Sequence, residues 1–131
     1  MKSYTIKEAA EMMHISTSTI RYYDKEGLLS FMERPASGYR IFFKNDIAML
    51  HIIECLKKTG MSIKEIRQFT KWVQQGDASL QERYNMFLER KRIVGEQIKE
   101  LEATQKIIEH KCWYYRTALE AGTEDIHKRI L

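Results

Sequence analysis

The chain has 131 residues, one proline (Pro35), two cysteines (Cys55 and Cys112) and no apolar run longer than four residues, as at Ile47–Leu50. Each scarcity excludes something. So little proline leaves long helices uninterrupted. Two cysteines cannot build a disulfide framework, and a reducing compartment is the simplest setting. Runs of four apolar residues are far too short to span a bilayer. Met1–Tyr4 leads straight into a polar amphipathic pattern without an apolar signal region, so a cytoplasmic protein is expected, with no membrane partner. The four histidines, His14, His51, His110 and His127, are scattered. No Ser/His/Asp or Cys/His/Asn spacing and no phosphate loop appears, so an enzyme is not expected, nor any cofactor or bound metal.

The composition is that of a globular protein, with 44% hydrophobic and 31% charged residues and a formal net charge of +4. Its distribution is uneven. Residues 1–76 hold 12 basic and 8 acidic side chains, a balance of 12 − 8 = +4, whereas residues 77–131 hold 10 of each. The first part therefore suits a polyanion and the second another task. Helix starts are marked by Thr5-Ile6-Lys7-Glu8, Ser62-Ile63-Lys64-Glu65 and Ser79-Leu80-Gln81-Glu82, which read as capping boxes. Stops are marked by Gly27, Gly60, Gly76 and Gly122. The predicted helices cover about 6–13, 17–26, 46–59, 63–75 and 79–120. Between the second and third, the turn cluster Glu33–Gly38 lies between Leu28-Leu29 and the β-favouring run Tyr39–Phe43, which predicts a short hairpin.

The first two helices, joined at His14-Ile15-Ser16, have the dimensions of a helix-turn-helix. Thr17, Ser18, Thr19 and Arg21 lie at the start of the second helix, where free N–H groups and the helix dipole suit a phosphate. A hairpin carrying Arg34, Tyr39 and Arg40 would add a basic wing. The expected fold is mainly α: a winged helix-turn-helix over 1–76, a dimerising coiled-coil helix over 77–120 and a short tail over 121–131.

From Leu80 the apolar spacing is strictly seven, through Phe87, Val94, Leu101, Ile108 and Tyr115 as d positions. The a positions are Tyr84, Lys91, Ile98, Gln105, Cys112 and Leu119. Such a seam must be buried in a partner, most simply a second copy of the chain. The polar pair Lys91 and Gln105 is placed to set register, and allows an antiparallel crossing near Ile98.

The run Tyr4–Ala10, the block Thr19-Ile20-Arg21-Tyr22-Tyr23-Asp24-Lys25-Glu26-Gly27-Leu28-Leu29, Arg34, Ser37-Gly38-Tyr39-Arg40 and Lys57–Ile66 together resemble the mercury-resistance-regulator (MerR) family of bacterial transcription factors. The resemblance covers about residues 3–76, and the long helix is similar to the family's dimerisation helix. It implies a homodimer with an antiparallel coiled coil, binding double-stranded promoter DNA at a pseudo-palindromic operator. Activation of RNA polymerase then follows from DNA distortion. By position it implies that Arg21 meets the major groove or its phosphates, that Tyr22 and Tyr23 both belong to the DNA-binding helix with Tyr23 ranked ahead of a partly packing Tyr22 as the phosphate contact, and that Tyr39 and Arg40 hold the backbone. Lys57, Lys58 and Lys64 are either further phosphate contacts or plain surface charges.

The family's metal sensors carry cysteines at the start and end of the coiled coil; here the long helix begins without one, and Cys112 in its last turns has no second thiol nearby. Cys55 resembles the single cysteine of the aldehyde- and thiol-stress branch, and His51 and Lys58 share its helical face, favouring the thiolate. The same thiol also sits in a helix rich in core residues, so burial is the competing reading. A second candidate effector region is aromatic, Trp72 and Trp113 with Tyr114 and Tyr115, for which structural packing that transmits the dimer geometry is the competing and preferred reading.

Overall fold

Ser3–Tyr4 (β1) pairs antiparallel with Phe42–Phe43 (β2), Ser3 opposite Phe43 and Tyr4 opposite Phe42. This small sheet closes the ring of helices that builds the first of two compact units, Met1–Arg90. The computed structural model describes residues 2–32 and 38–128. The expected hairpin takes a different form. Leu28 and Leu29 are buried in a turn, and the strand that would have paired with them, β2, takes the N-terminus as its partner. Two consecutive leucines with no exposed face belong to a core turn better than to an edge strand.

Helix α1 (Ile6–Met13) begins on the capping box read from the sequence. Thr5 Oγ1 accepts from the Glu8 amide at 3.1 Å, and Glu8 Oε1 accepts from the Thr5 amide at 2.9 Å. It buries Ala9, Ala10 and Met13 and ends at His14, whose φ of 57° reverses the chain. Helix α2 (Thr17–Lys25) then starts on a cap that has no capping-box signature: Ser16 Oγ accepts from the Thr19 amide at 3.0 Å. Removing it in Ser16→Ala is expected to cost about 1 kcal/mol and lower the thermal midpoint by about 4 °C. An unchanged midpoint would show that the helix does not depend on this cap.

Gly27 ends α2 in a left-handed turn, φ 77°, with the Leu28 amide donating back to the Tyr23 carbonyl at 2.9 Å. Arg67 Nε donates to the Glu26 carbonyl at 2.6 Å and so covers an orphan acceptor of the helix end. Helix α3 (Lys44–Lys58) contributes Ile47, Leu50, Ile53 and Leu56 to the core, and α4 (Ile63–Gln75) contributes Ile66 and Phe69. With Ile20, Tyr23, Leu28, Leu29, Phe42 and Met61 they form one apolar cluster.

The start of the long helix differs from the predicted capping box. After Gly76, φ 71°, a 3₁₀ turn over Gly76–Ser79 runs directly into α5 (Leu80–Ala121). The Ser79 hydroxyl is buried and donates toward the Trp72 and Gly76 carbonyls, while accepting from Arg83 Nε at 3.1 Å. It ties α5 to the end of α4, and Glu82 has no role in the cap. Phe87 meets Phe69 edge-on at 5.5 Å, and Arg90 donates to Thr59 Oγ1 at 3.0 Å, which anchors the first turns of α5 to the unit.

The second unit, Lys91–Leu131, holds the remainder of α5 and a short helix α6 (Asp125–Lys128) where a tail was expected. The His127 ring stacks on Tyr114 at 4.1 Å, its Nε2 lies 3.0 Å from the Tyr114 carbonyl, and the Tyr114 hydroxyl donates to Glu124 at 3.1 Å. Among the described residues, no helix is long and apolar enough to cross a membrane.

Candidate nucleic-acid interface

Helix α2 carries two kinds of side chain. Its first turns present Ser18, Arg21 and Tyr22 outward, with Thr17 and Thr19 half-buried beside them. Arg21 Nη1 lies 3.4 Å from Thr17 Oγ1, a long contact that leaves the guanidinium on the surface. The second kind faces inward and ties the helix to its neighbours.

Tyr23 belongs to this second kind, which corrects the ranking drawn from resemblance. It is wholly buried, whereas Tyr22 is 45% exposed. Its hydroxyl donates to Glu54 Oε1 of α3, and Lys57 Nζ sits 5.3 Å above its ring. Burial first, and then the Glu54 bond, push the phenol well above the usual tyrosine range, so it stays protonated as a donor. In the single chain its hydroxyl is thus directed to a carboxylate rather than outward. Tyr22 is the outward phenol of the pair.

On the wing side, exposure alternates residue by residue: Tyr39 and Ile41 point out, Arg40 is half-buried and Phe42 is wholly buried. Arg40 forms a two-pronged pair with Asp24, Nε to Oδ2 and Nη2 to Oδ1, both 2.8 Å. Arg21, Asp24, Tyr39 and Arg40 line one recess of about 630 Å³ together with residues of β1 and the start of α1. The structure thus brings Arg21 and Tyr39 to a common concavity. Arg34 lies outside the described residues.

Lys57, Lys58 and Lys64 are all exposed, the first two at the end of α3 and the third in the first turn of α4. That turn is held by the Ser62–Glu65 capping box, in which the Ser62 hydroxyl and then its amide donate to Glu65 Oε1 and hold the carboxyl below its usual range. Cys55 and His51 are exposed on α3. The core face of α3 runs through Ile47, Leu50, Ile53 and Leu56. Cys55, about 100° around the helix from Leu56, falls outside it. Within one chain the thiol is therefore accessible, and the burial reading does not hold. Cys112 is likewise a free, exposed thiol. Among the described residues there is no cluster of three or more potential metal ligands.

The sequence reading missed Asp24, Glu54 and the Glu26–Arg67 pair as partners that place α2. Asp24 lies within the block Thr19–Leu29, but pairing across 16 residues leaves no local signature. The effector-region aromatics are separately housed. Trp72 lines a shallow recess of about 390 Å³ in the first unit with Met61, Met86 and Arg90, while Trp113 packs with His110 and His127 in the second.

Two family models match the chain: MerR HTH family regulatory protein over residues 4–71, and MerR, DNA binding, over residues 47–111. An uncharacterized HTH-type transcriptional regulator of Haemophilus influenzae is 39% identical over 121 residues, 92% of this chain and 90% of that protein. The HTH-type transcriptional regulator AdhR of Bacillus subtilis is 30% identical over 90 residues, 68% of this chain and 64% of its own length. Among solved structures, HiNmlR, a MerR family regulator lacking the sensor domain and bound to promoter DNA, is similar with a TM-score of 0.88. It is 38% identical, covering 95% of this chain and 99% of that one. A MerR family regulator from Bacillus thuringiensis has a TM-score of 0.79 and 39% identity over 85% of this chain and 97% of that one.

Proposed function

The chain belongs to the MerR family of DNA-binding transcriptional regulators, and we propose that it acts as a homodimer on a pseudo-palindromic operator within a promoter spacer. The observation that carries this reading is the exposed Arg21 of α2 opening onto the same recess as the exposed Tyr39 of the wing, with the exposed Tyr22 next to Arg21 on the helix. Residues 1–76 serve as the reading head, 77–120 as the dimerisation helix and 121–131 as a short terminal segment. Thr17, Ser18 and Thr19 allow close approach to the groove wall, Arg21 reads or clamps the major groove, and Tyr22, Tyr39 and Lys64 meet phosphates, with Lys57 and Lys58 nearby.

Each protomer occupies one half-site. The dimer bends and untwists the DNA between them, so that RNA polymerase meets its two promoter elements in phase. Support for the dimer comes from the stripe on α5: Leu80, Tyr84, Ile98, Leu101, Ile108, Tyr115 and Leu119 are all exposed in the single chain. An apolar face repeated every seven residues and left in water needs a partner. Gel-shift titration of the promoter duplex at several salt concentrations tests the head. Affinity should fall steeply with salt, and salt-independent binding or none would overturn the assignment.

The effector is proposed to be an electrophile or thiol oxidant acting at Cys55, supported by the exposure of the thiol beside exposed His51. Cys55→Ser is expected to bind the operator as tightly as the parent while losing the response to an aldehyde in reconstituted transcription. Retention of that response would remove Cys55 from the mechanism. The competing reading places a small molecule at the aromatic region around Trp72 or Trp113, and the recess beside Trp72 favours it. Induction that survives in Cys55→Ser with quenching of tryptophan fluorescence would select it.

A further inference from the structure

We propose that Arg40 is a positioning residue that sets the wing against α2 through Asp24, rather than the phosphate contact its place in the motif suggests. This rests on the reading of α2 and the wing as the DNA-binding face. Three observations converge. The alternation of exposure from Tyr39 to Phe42 puts Arg40 on the inward side, with Tyr39 81% exposed and Phe42 wholly buried on either side of it. The Arg40 side chain is 11% exposed, and that of Asp24 33%. Nε and Nη2, which form one edge of the guanidinium, both meet the Asp24 carboxylate at 2.8 Å. The Nε–Nη2 edge is committed to Asp24, and turning that edge to a phosphate would surrender both charge-assisted bonds and leave Asp24 without its cation.

Asp24 itself is well placed to transmit position. It follows Tyr23, which is bonded to α3 through Glu54, and precedes Glu26, which is paired with Arg67 of α4 at 3.3 Å. The second half of α2 and its C-cap are thus fixed to α3, to the wing and to α4 through Tyr23, Asp24 and Glu26, while its first half is left to the DNA. The Asp24–Arg40 pair is the link that determines where Tyr39 stands relative to Arg21.

The test uses the full chain, its promoter duplex and three variants: Arg40→Gln, Arg40→Lys and Asp24→Asn. Lysine keeps the charge a phosphate would want but lacks the planar fork that grips a carboxylate. All three variants should lose operator affinity, by roughly tenfold, with the salt slope of the parent retained. A direct phosphate contact predicts otherwise. Arg40→Lys would then bind nearly normally, Asp24→Asn would bind as well as the parent or better, and Arg40→Gln would lower the salt slope by about 0.9 for each contact removed. Any of these results would overturn the proposal. Hydrogen exchange on the free protein gives a reading independent of DNA: amides at 39–41 should exchange faster in Asp24→Asn than in the parent. Unchanged exchange there would also overturn it, whereas faster exchange in a chain that binds no duplex would uphold the clamp and sink only the DNA-face reading.

Discussion

Replacing Arg21 by alanine is expected to abolish detectable operator binding at concentrations where the parent saturates its site, while leaving fold and association state unchanged. The side chain is exposed, makes one long contact with Thr17 Oγ1 and packs into no core, so truncation leaves no cavity and orphans no buried group. Its value lies in what it meets on the DNA. A side chain reading a base edge bidentately is worth about 1–3 kcal/mol of discrimination. In the proposed dimer the residue acts twice, so about 2–6 kcal/mol is at stake, roughly 30-fold to more than 10⁴-fold in affinity. Footprinting and thermal unfolding, measured together, separate the outcomes. Loss of the footprint with an unchanged melting midpoint supports the role, and an unchanged footprint removes Arg21 from the interface. The slope of affinity against salt refines it further. A phosphate contact lowers that slope, whereas a base contact relaxes sequence preference with the slope intact.

How far this arrangement can be read from sequence depends on the range of the forces involved. Helices α1, α2, α4 and α5 are announced by local chemistry, because a hydroxyl three residues ahead of a glutamate, or a glycine just past a periodic run, acts within one turn. The same local signature misleads at Ser79, where burial against the end of α4 redirects the hydroxyl to carbonyls and makes a cap unnecessary. Ser16 errs in the other direction, a working cap without a glutamate to advertise it. The strand error has a longer range. Phe42–Phe43 has the composition of a strand, but its partner lies far off in the chain at Ser3–Tyr4, and nothing in the wing sequence names it. For the site, residue types were legible and roles were not. Tyr22 and Tyr23 are chemically identical neighbours, and only the phase of α2 against α3 decides which is buried on Glu54 and which faces out.

Leu101→Asp is expected to dissociate the dimer at micromolar concentration and, with it, to reduce operator binding toward the non-specific level. Leu101 is 68% exposed in the single chain and touches nothing in its own core, so the substitution should leave the first unit's stability untouched. In a symmetric pair it introduces two carboxylates into one seam, each deprived of water and without a cation. The proposed antiparallel direction is compatible with the spacing and can be tested against a parallel one. An antiparallel register that sets every a position against a d position pairs Leu80 with Leu119, Tyr84 with Tyr115, Phe87 with Cys112 and Ile98 with Leu101 of the second copy. Lys91 and Gln105 then face Ile108 and Val94, whereas a parallel pair in register would set Lys91 against its own copy, two like charges at one layer. The two arrangements separate under mild oxidation in a Cys55→Ser background. A parallel seam brings the two Cys112 thiols together and cross-links the parent dimer. The antiparallel seam holds them about 37 Å apart at 1.5 Å per residue, so no cross-link forms until Phe87→Cys supplies a partner for Cys112. Sedimentation of the parent as a monomer at these concentrations would remove the dimer, and a Cys112 cross-link without Phe87→Cys would remove the antiparallel register. If neither occurs and Leu101→Asp sediments as a monomer, the loss of operator affinity in that variant measures what joining two heads contributes. That contribution should be large, because specific complexes typically exceed non-specific ones by 10³-fold or more, and a single head retains only half the contacts.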